Sequence, residues 1–265
     1  MSPTPPPDLR EIDEVIERLG EIIHDAMAAN GGRGDRMGWF AAMYRRVTVA
    51  VRDAIVAGRF ENGQRMVTFD QVFANRFIRA WDDVQAGRRP TEAWQVAFAG
   101  AEKRRLVIVQ QLLLGMNAHI NLDLGIAAAT TARTVGEGVT ELKTDFDRIN
   151  EVLAELTHGF VEQVGALSPW FALLDRVGGR TETEIIGWSI DLARDAAWHL
   201  ALELGGDPPV DQARPIAARD AFTADLGRFV IRPGILIPLV LLVVRAREPN
   251  DINRVTRFLM EPPAS

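Results

Sequence analysis

The sequence predicts an all-α fold, a single-domain helical bundle around a central buried helix at about residues 106–131. Apolar residues recur at the three- and four-residue spacing of amphipathic helices along most of the chain. Strand signals are scarce, because there is one tyrosine and no hairpin dipeptide between β-branched runs. A chain of 265 residues with 47% hydrophobic side chains can bury a large core without a disulfide or a metal.

Turn residues divide the chain into helices. Asn30 with Gly31 and Gly32 ends the first helix, and Gly87 followed by Pro90 ends the third. In chain order the predicted helices are one from Leu9 to Asn30, one at about 37–57, one ending at Gly87, then 91–102, 106–131, 141–164, 183–204 and 216–230, followed by shorter C-terminal pieces.

The domain organisation is interpreted as a disordered leader at 1–8 and a single helical domain at 9–265. The proline-rich leader lacks the basic start and the apolar stretch of a signal peptide. The most apolar run, Ile235 to Val244, is too short for a membrane span, which needs about 20 residues. It predicts a buried C-terminal helix, and it is the only basis for expecting a homodimer.

Composition excludes several function classes. The chain has no cysteine, which excludes disulfides, thiolate metal sites and cysteine nucleophiles and is typical of a cytoplasmic protein. The net charge is −6 and no run of Lys and Arg is present, so we expect no nucleic-acid partner. The dinucleotide fingerprint and the P-loop are absent, and no cofactor is predicted. The serine-hydrolase elbow is also absent, which disfavours a serine hydrolase.

Polar side chains interrupt the apolar central helix and carry the functional hypothesis. On a 3.6-residue helix His119 and Asp123 share one face, whereas Asn117 and Asn121 lie on roughly the opposite face. A buried polar group costs several kcal/mol when it is unpaired, so these groups must be hydrogen-bonded, bound to a metal or turned to a cavity.

Two interpretations of this helix remain open at this stage. In the functional one, His119 is a general acid or base that Asp123 orients beside a pocket. In the structural one, the two side chains satisfy each other and the neighbouring backbone, and the asparagines join adjacent helices. The candidate substrate-binding residues of the functional interpretation are Asn117, Asn121, Asp35, Arg36 and Tyr44.

A divalent metal site is a third interpretation. Asp195 and His199 repeat the four-residue spacing of His119 and Asp123 on another predicted helix. Two such pairs on facing helices can form a metal site in a helical bundle. The spacing is weakly specific, since Asp195 could equally belong to a solvated face with local ion pairs.

Several segments together resemble a bacterial family known as domain of unknown function 5995. These segments are Gly34 to Phe40, Tyr44 to Thr48, Phe73 to Phe77, Gly115 to Asp123, and Asp145-Phe146 followed by Ile149-Asn150. The resemblance covers roughly residues 9–260. It marks the His119 segment as a family signature, but it implies no activity, because no catalytic residue is assigned to that family.

We therefore expect an enzyme that performs acid–base chemistry on a largely apolar small molecule in a pocket beside the central helix. Hydrolysis, cyclisation and isomerisation are all open, because proton transfer underlies each of them. The alternatives are a metal-dependent hydrolase that uses the paired His and Asp side chains, and a non-catalytic ligand-binding or scaffold protein.

Overall fold

The computed structural model describes residues 10–168, 190–206, 211–233 and 237–261. These ranges contain helices and no strand, which confirms the all-α prediction. The helices are α1 (Arg10–Gly32), α2 (Met37–Val56), α3 (Gly63–Gln85), α4 (Glu92–Ala101), α5 (Ile108–Asn117), a π-helical turn (Ala118–Asp123), α6 (Leu124–Val135), a 3₁₀ turn (Val139–Leu142), α7 (Lys143–Leu167), α8 (Ile190–Leu204), α9 (Ala213–Ile231), α10 (Ile237–Arg245) and α11 (Ile252–Met260).

The chain turns where the sequence analysis expected it to turn. At the end of α1, Asn30 and Gly31 adopt left-handed conformations with φ of 55° and 69°. The side chain of Asn62 accepts the backbone N–H of Arg65 and so begins α3. The predicted leader at 1–8 and the start of the helix predicted at 183–204 lie outside the described residues, and the single-domain boundary at 9–265 stays a prediction.

The central helix differs from the prediction in its backbone. The expected single helix is a continuous run of α5, the π-helical turn and α6, and at the end of that turn the Leu124 N–H donates to the His119 carbonyl five residues earlier. By length and composition alone the run Ile108–Val135 could cross a membrane. However, 83% of its most apolar window is buried inside the protein, as in the core helix of a bundle.

Glycines allow neighbouring helices to approach this central run closely. A Cβ atom at Gly115 would lie 2.6 Å from the ring of Phe40 on α2. A Cβ atom at Gly125 would meet the backbone carbonyl of Ala197 on α8, which cannot move as a side chain can. The two glycines therefore set how near α2 and α8 lie to the centre of the bundle.

The C-terminal segment caps the start of the central run. Both carboxylate oxygens of Glu248 accept the N–H of Ile108, and the Ser168 hydroxyl donates to the same carboxylate at 2.7 Å. On α10, Val244 is buried but Leu242 remains 62% exposed. The homodimer expected from this apolar segment stays a prediction.

We predict opposite effects of alanine at two helical glycines. Gly125→Ala places a methyl group against the Ala197 carbonyl, so we expect a loss of about 1–3 kcal/mol in the free energy of unfolding. Gly165 on α7 has open space around its Cβ position, so Gly165→Ala is the matched control and should stabilise by up to about 1 kcal/mol. Urea unfolding measures both, and equal stability of the two variants would contradict the close α6–α8 approach.

Candidate functional site

A small apolar cavity of about 110 Å³ lies beside the π-helical turn. Aromatic rings and methionines from α2, α3 and the central run form much of its wall, including Phe40, Met43, Phe69, Phe73 and Met116. The polar side chains that line it are Tyr44, Asp70, His119 and Arg194. The cavity therefore offers a few polar groups inside an apolar enclosure, as ligand sites usually do.

His119 is held firmly on the cavity wall. Its imidazole stacks on the Phe73 ring, with 3.7 Å between ring centroids and 8° between ring planes. The Tyr44 ring meets it edge-on at 4.5 Å. His119 is 2% exposed, its Nδ1 lies 3.3 Å from Oδ2 of Asp123, and its Nε2 has no hydrogen-bond partner among the described residues.

Asp123 is completely buried, and its carboxylate orients His119. Arg76 Nε donates to its Oδ1 at 2.6 Å, and Trp94 Nε1 donates to its Oδ2 at 2.8 Å. Burial by itself raises the pKa of Asp123, but the charge of Arg76 and the hydrogen bonds from His119 and Arg76 hold this pKa below its ordinary value. Asp123 is therefore an ionised acceptor.

An ionised Asp123 fixes the tautomer of His119. The imidazole proton lies on Nδ1, which donates to Asp123, and the lone pair lies on Nε2. Burial lowers the pKa of His119 and outweighs the opposite effect of Asp123. At neutral pH the residue is thus an unprotonated base on the cavity wall, and its Nε2 is buried without a partner in the described residues.

Asp70 is a site residue that the sequence analysis missed. It is 5% exposed, its Oδ2 makes no hydrogen bond to any described residue, and burial raises its pKa to about 7. A signal was available, because Asp70 lies three residues before Phe73 and shares the apolar stripe of α3. An acid on such a stripe is unusual unless it has a partner or faces a cavity.

Tyr44 is the one predicted substrate-binding residue that the structure places in this cavity. Its side chain is 4% exposed, and within the described part of the chain its hydroxyl has no hydrogen-bond partner. Burial raises the pKa of Tyr44 well above its ordinary value, and the nearby charge of Asp70 raises it further, against a smaller lowering by the Thr48 side chain. The hydroxyl therefore stays protonated and can donate.

The other four predicted substrate-binding residues do not line this cavity, contrary to the sequence prediction. Asn117 donates to the Thr223 carbonyl of α9 at 2.8 Å, and Asn121 donates to Asn117, so both brace α9. Asp35 and Arg36 lie around a separate open surface cavity. There the carboxylate of Asp35 caps the start of α2 through the Met37 N–H, and Arg36 donates to the Ala101 carbonyl.

The four candidate metal ligands do not form one site. His119 and Asp123 are buried, whereas Asp195 and His199 are exposed on α8. In the described ranges no three His, Asp or Glu side chains lie close enough together to hold a metal ion. The pairing expected from spacing fails because the second pair lies on the solvent face of its helix.

We predict that Asp70 makes the stability of the fold pH-dependent. Its pKa is about 7 in the folded protein and 3.8 ordinarily, so the folded state keeps a proton that the unfolded state loses in between. The contribution of Asp70 to stability should therefore be largest below the ordinary pKa and fall by roughly 4 kcal/mol as pH rises through the folded pKa.

Asp70→Asn removes this titration at nearly constant shape. We expect the variant to melt at a higher temperature than the wild type at about pH 8 and to lose this advantage at about pH 4. The other groups around Asp70, which are Tyr44, His119 and Arg194, are common to both proteins, so their contributions cancel in the difference. A difference in melting temperature that does not change with pH would show that Asp70 titrates normally.

Comparison with known proteins assigns the chain to a family, but it does not assign an activity to the chain. No curated protein and no solved structure matches the sequence. The family described as "Family of unknown function (DUF5995)" matches residues 12–233, a range that contains every residue of the cavity described above. Because that match covers most of the chain, the protein belongs to the DUF5995 family, as the sequence resemblance indicated.

Proposed function

We propose that the protein is an enzyme that performs acid–base chemistry on a small, largely apolar molecule bound beside the π-helical turn. One observation carries this proposal: His119 Nε2, the Tyr44 hydroxyl and Asp70 Oδ2 are all buried without a protein partner at a single apolar cavity. Each unsatisfied buried group costs about 1–3 kcal/mol. A ligand that hydrogen-bonds to them recovers that cost, which favours a binding role over a packing role.

The protonation states suit a base and an acid working together. His119 is unprotonated above its lowered pKa, and Asp70 keeps its proton up to about pH 7. A neutral base and a neutral acid therefore coexist in the slightly acidic to neutral range, where a bell-shaped pH–rate profile is expected. The residues themselves leave hydrolysis, cyclisation and isomerisation open.

A non-catalytic ligand-binding protein is the second candidate. The same unpartnered groups would then bind a ligand without moving a proton. The fixed tautomer of His119 favours the enzyme, because a binding site has no need of an ionised carboxylate that is held by three donors and aligned with the imidazole.

The test is a probe reaction that needs only a base in an apolar cavity. In 5-nitrobenzisoxazole a base removes the ring proton beside the nitrogen, the N–O bond breaks, and a coloured phenolate forms. We expect saturable turnover that falls as pH drops through the pKa of His119, below 6.5. His119→Gln should lower kcat/KM by about 100-fold or more.

His199→Gln is the matched control, because it removes an exposed histidine of the same type. It should leave both kcat and KM unchanged. Equal turnover by the wild type and a folded His119→Gln variant would exclude His119 as the base. Binding of the probe without any turnover above that of free imidazole would favour the ligand-binding alternative.

A further inference from the structure

Two hydrogen-bond donors are available in the cavity together with the base. Tyr44 and Asp70 come from adjacent helices, α2 and α3, and both side chains line the cavity wall with His119. Each is at least nine-tenths buried, and in the described ranges neither the Tyr44 hydroxyl nor Asp70 Oδ2 has a partner. Below about pH 7 both carry a proton, because burial raises the pKa of each.

Paired neutral donors in a largely apolar cavity are suited to bind an oxygen atom that becomes negatively charged during a reaction. A carbonyl oxygen that gains negative charge during a reaction is stabilised most by donors fixed in advance in an apolar enclosure. A tyrosine and a protonated carboxylic acid can serve together as such donors. The aromatic rings of Phe40, Phe69 and Phe73 surround the cavity with apolar surface, which offers no competing hydrogen bonds.

We propose that the substrate is an apolar β,γ-unsaturated ketone, that Tyr44 and Asp70 donate hydrogen bonds to its carbonyl oxygen, and that His119 removes the proton from the carbon between the carbonyl and the carbon–carbon double bond. This inference rests on the proposed acid–base function and narrows it from three reaction classes to isomerisation. Hydrolysis would need a positioned water in a cavity whose wall is mostly apolar.

The step balances without a further reactant. His119 Nε2 takes the proton, the electrons of the broken C–H bond form a carbon–carbon double bond, and the carbonyl π electrons move to oxygen. The resulting enolate is held by the two donors, while the imidazolium is stabilised by ionised Asp123. Return of the proton from His119 to the γ-carbon re-forms the carbonyl, moves the double bond into conjugation with it to give the α,β-enone, and restores the base.

Groups facing Asp70 are compatible with this assignment. Tyr44 on α2, His119 on the π-helical turn and Arg194 on α8 line the same cavity as Asp70. Arg194 donates to the Phe146 carbonyl, and its guanidinium lies over the Phe146 ring at 4.4 Å from the centroid. No ion pair joins Arg194 to Asp70 in the described part of the chain, so Asp70 keeps the neutral form that donation requires.

The experiment compares 2-naphthol with naphthalene, which differ only in the hydroxyl group that mimics an enolate oxygen. The cavity volume of about 110 Å³ is of the order of one aromatic ring, and the cavity is partly open to solvent, so we expect the ring that carries the hydroxyl to enter it and the second ring to lie at its mouth. We expect 2-naphthol, followed by its own fluorescence, to bind roughly tenfold more tightly than naphthalene, since one or two hydrogen bonds of about 1 kcal/mol each separate them.

Three variants test the two donors separately from the cavity. Tyr44→Phe and Asp70→Leu should each reduce the preference for 2-naphthol several-fold and leave naphthalene binding intact, which also reports that the variant is folded. Asp70→Asn should restore most of the preference, because its amide group still donates. Thr131→Val is the matched control, since the Thr131 hydroxyl is equally buried and unpartnered but lies outside the cavity.

The outcomes distinguish failure of this inference from failure of the proposed function on which it rests. Preference for 2-naphthol that depends on Tyr44 and Asp70 supports the paired donors. Equal binding of both molecules to the wild type overturns the proposal that Tyr44 and Asp70 donate to a carbonyl substrate. It leaves the proposed apolar site with His119 as its base. Binding of neither molecule, together with no turnover of 5-nitrobenzisoxazole, overturns the proposed function as well.

Discussion

The buried carboxylate of Asp123 is the constraint on which the rest of the site depends. An ion in the protein interior costs several kcal/mol unless it is paired and fully hydrogen-bonded. Here the donors come from three different elements: Arg76 on α3, Trp94 on α4 and His119 on the π-helical turn. Satisfying this one charge therefore fixes how α3 and α4 sit against the central run, and it aligns the imidazole at the same time.

Two aspartates in one small region have opposite roles because their surroundings differ. Asp123 receives a guanidinium and two further donors, so its pKa stays low despite complete burial. Asp70 receives none of these within the described residues, so burial alone raises its pKa to about 7. Carboxyl groups whose pKa values are driven apart in this way are characteristic of acid–base sites, where one orients and the other exchanges a proton.

The two faces of the central run have different roles, because one lines the cavity and the other packs against α9. One face brings His119 to the cavity, and the other places Asn117 against α9, where the amide nitrogen of Asn117 donates to the Thr223 carbonyl and that of Asn121 donates to Asn117. The π-helical turn lies where these faces meet, and such turns occur most often at functional sites. The buried polar groups without a partner in the described residues include three at the cavity, His119 Nε2, the Tyr44 hydroxyl and Asp70 Oδ2, and others elsewhere, such as the Thr223 hydroxyl on α9.

The sequence by itself determined the helices, their turns, the family and the pairing of His119 with Asp123, because these follow from local spacing and turn residues. Only the tertiary structure decided which neighbour covers each face. Helical periodicity says that Asn117 and His119 point in different directions, but it cannot say that α9 meets one and an apolar cavity the other. The position of Asp70 on the apolar stripe of α3 could have marked it as a candidate, but periodicity cannot show the surroundings that bury its carboxyl group and raise its pKa.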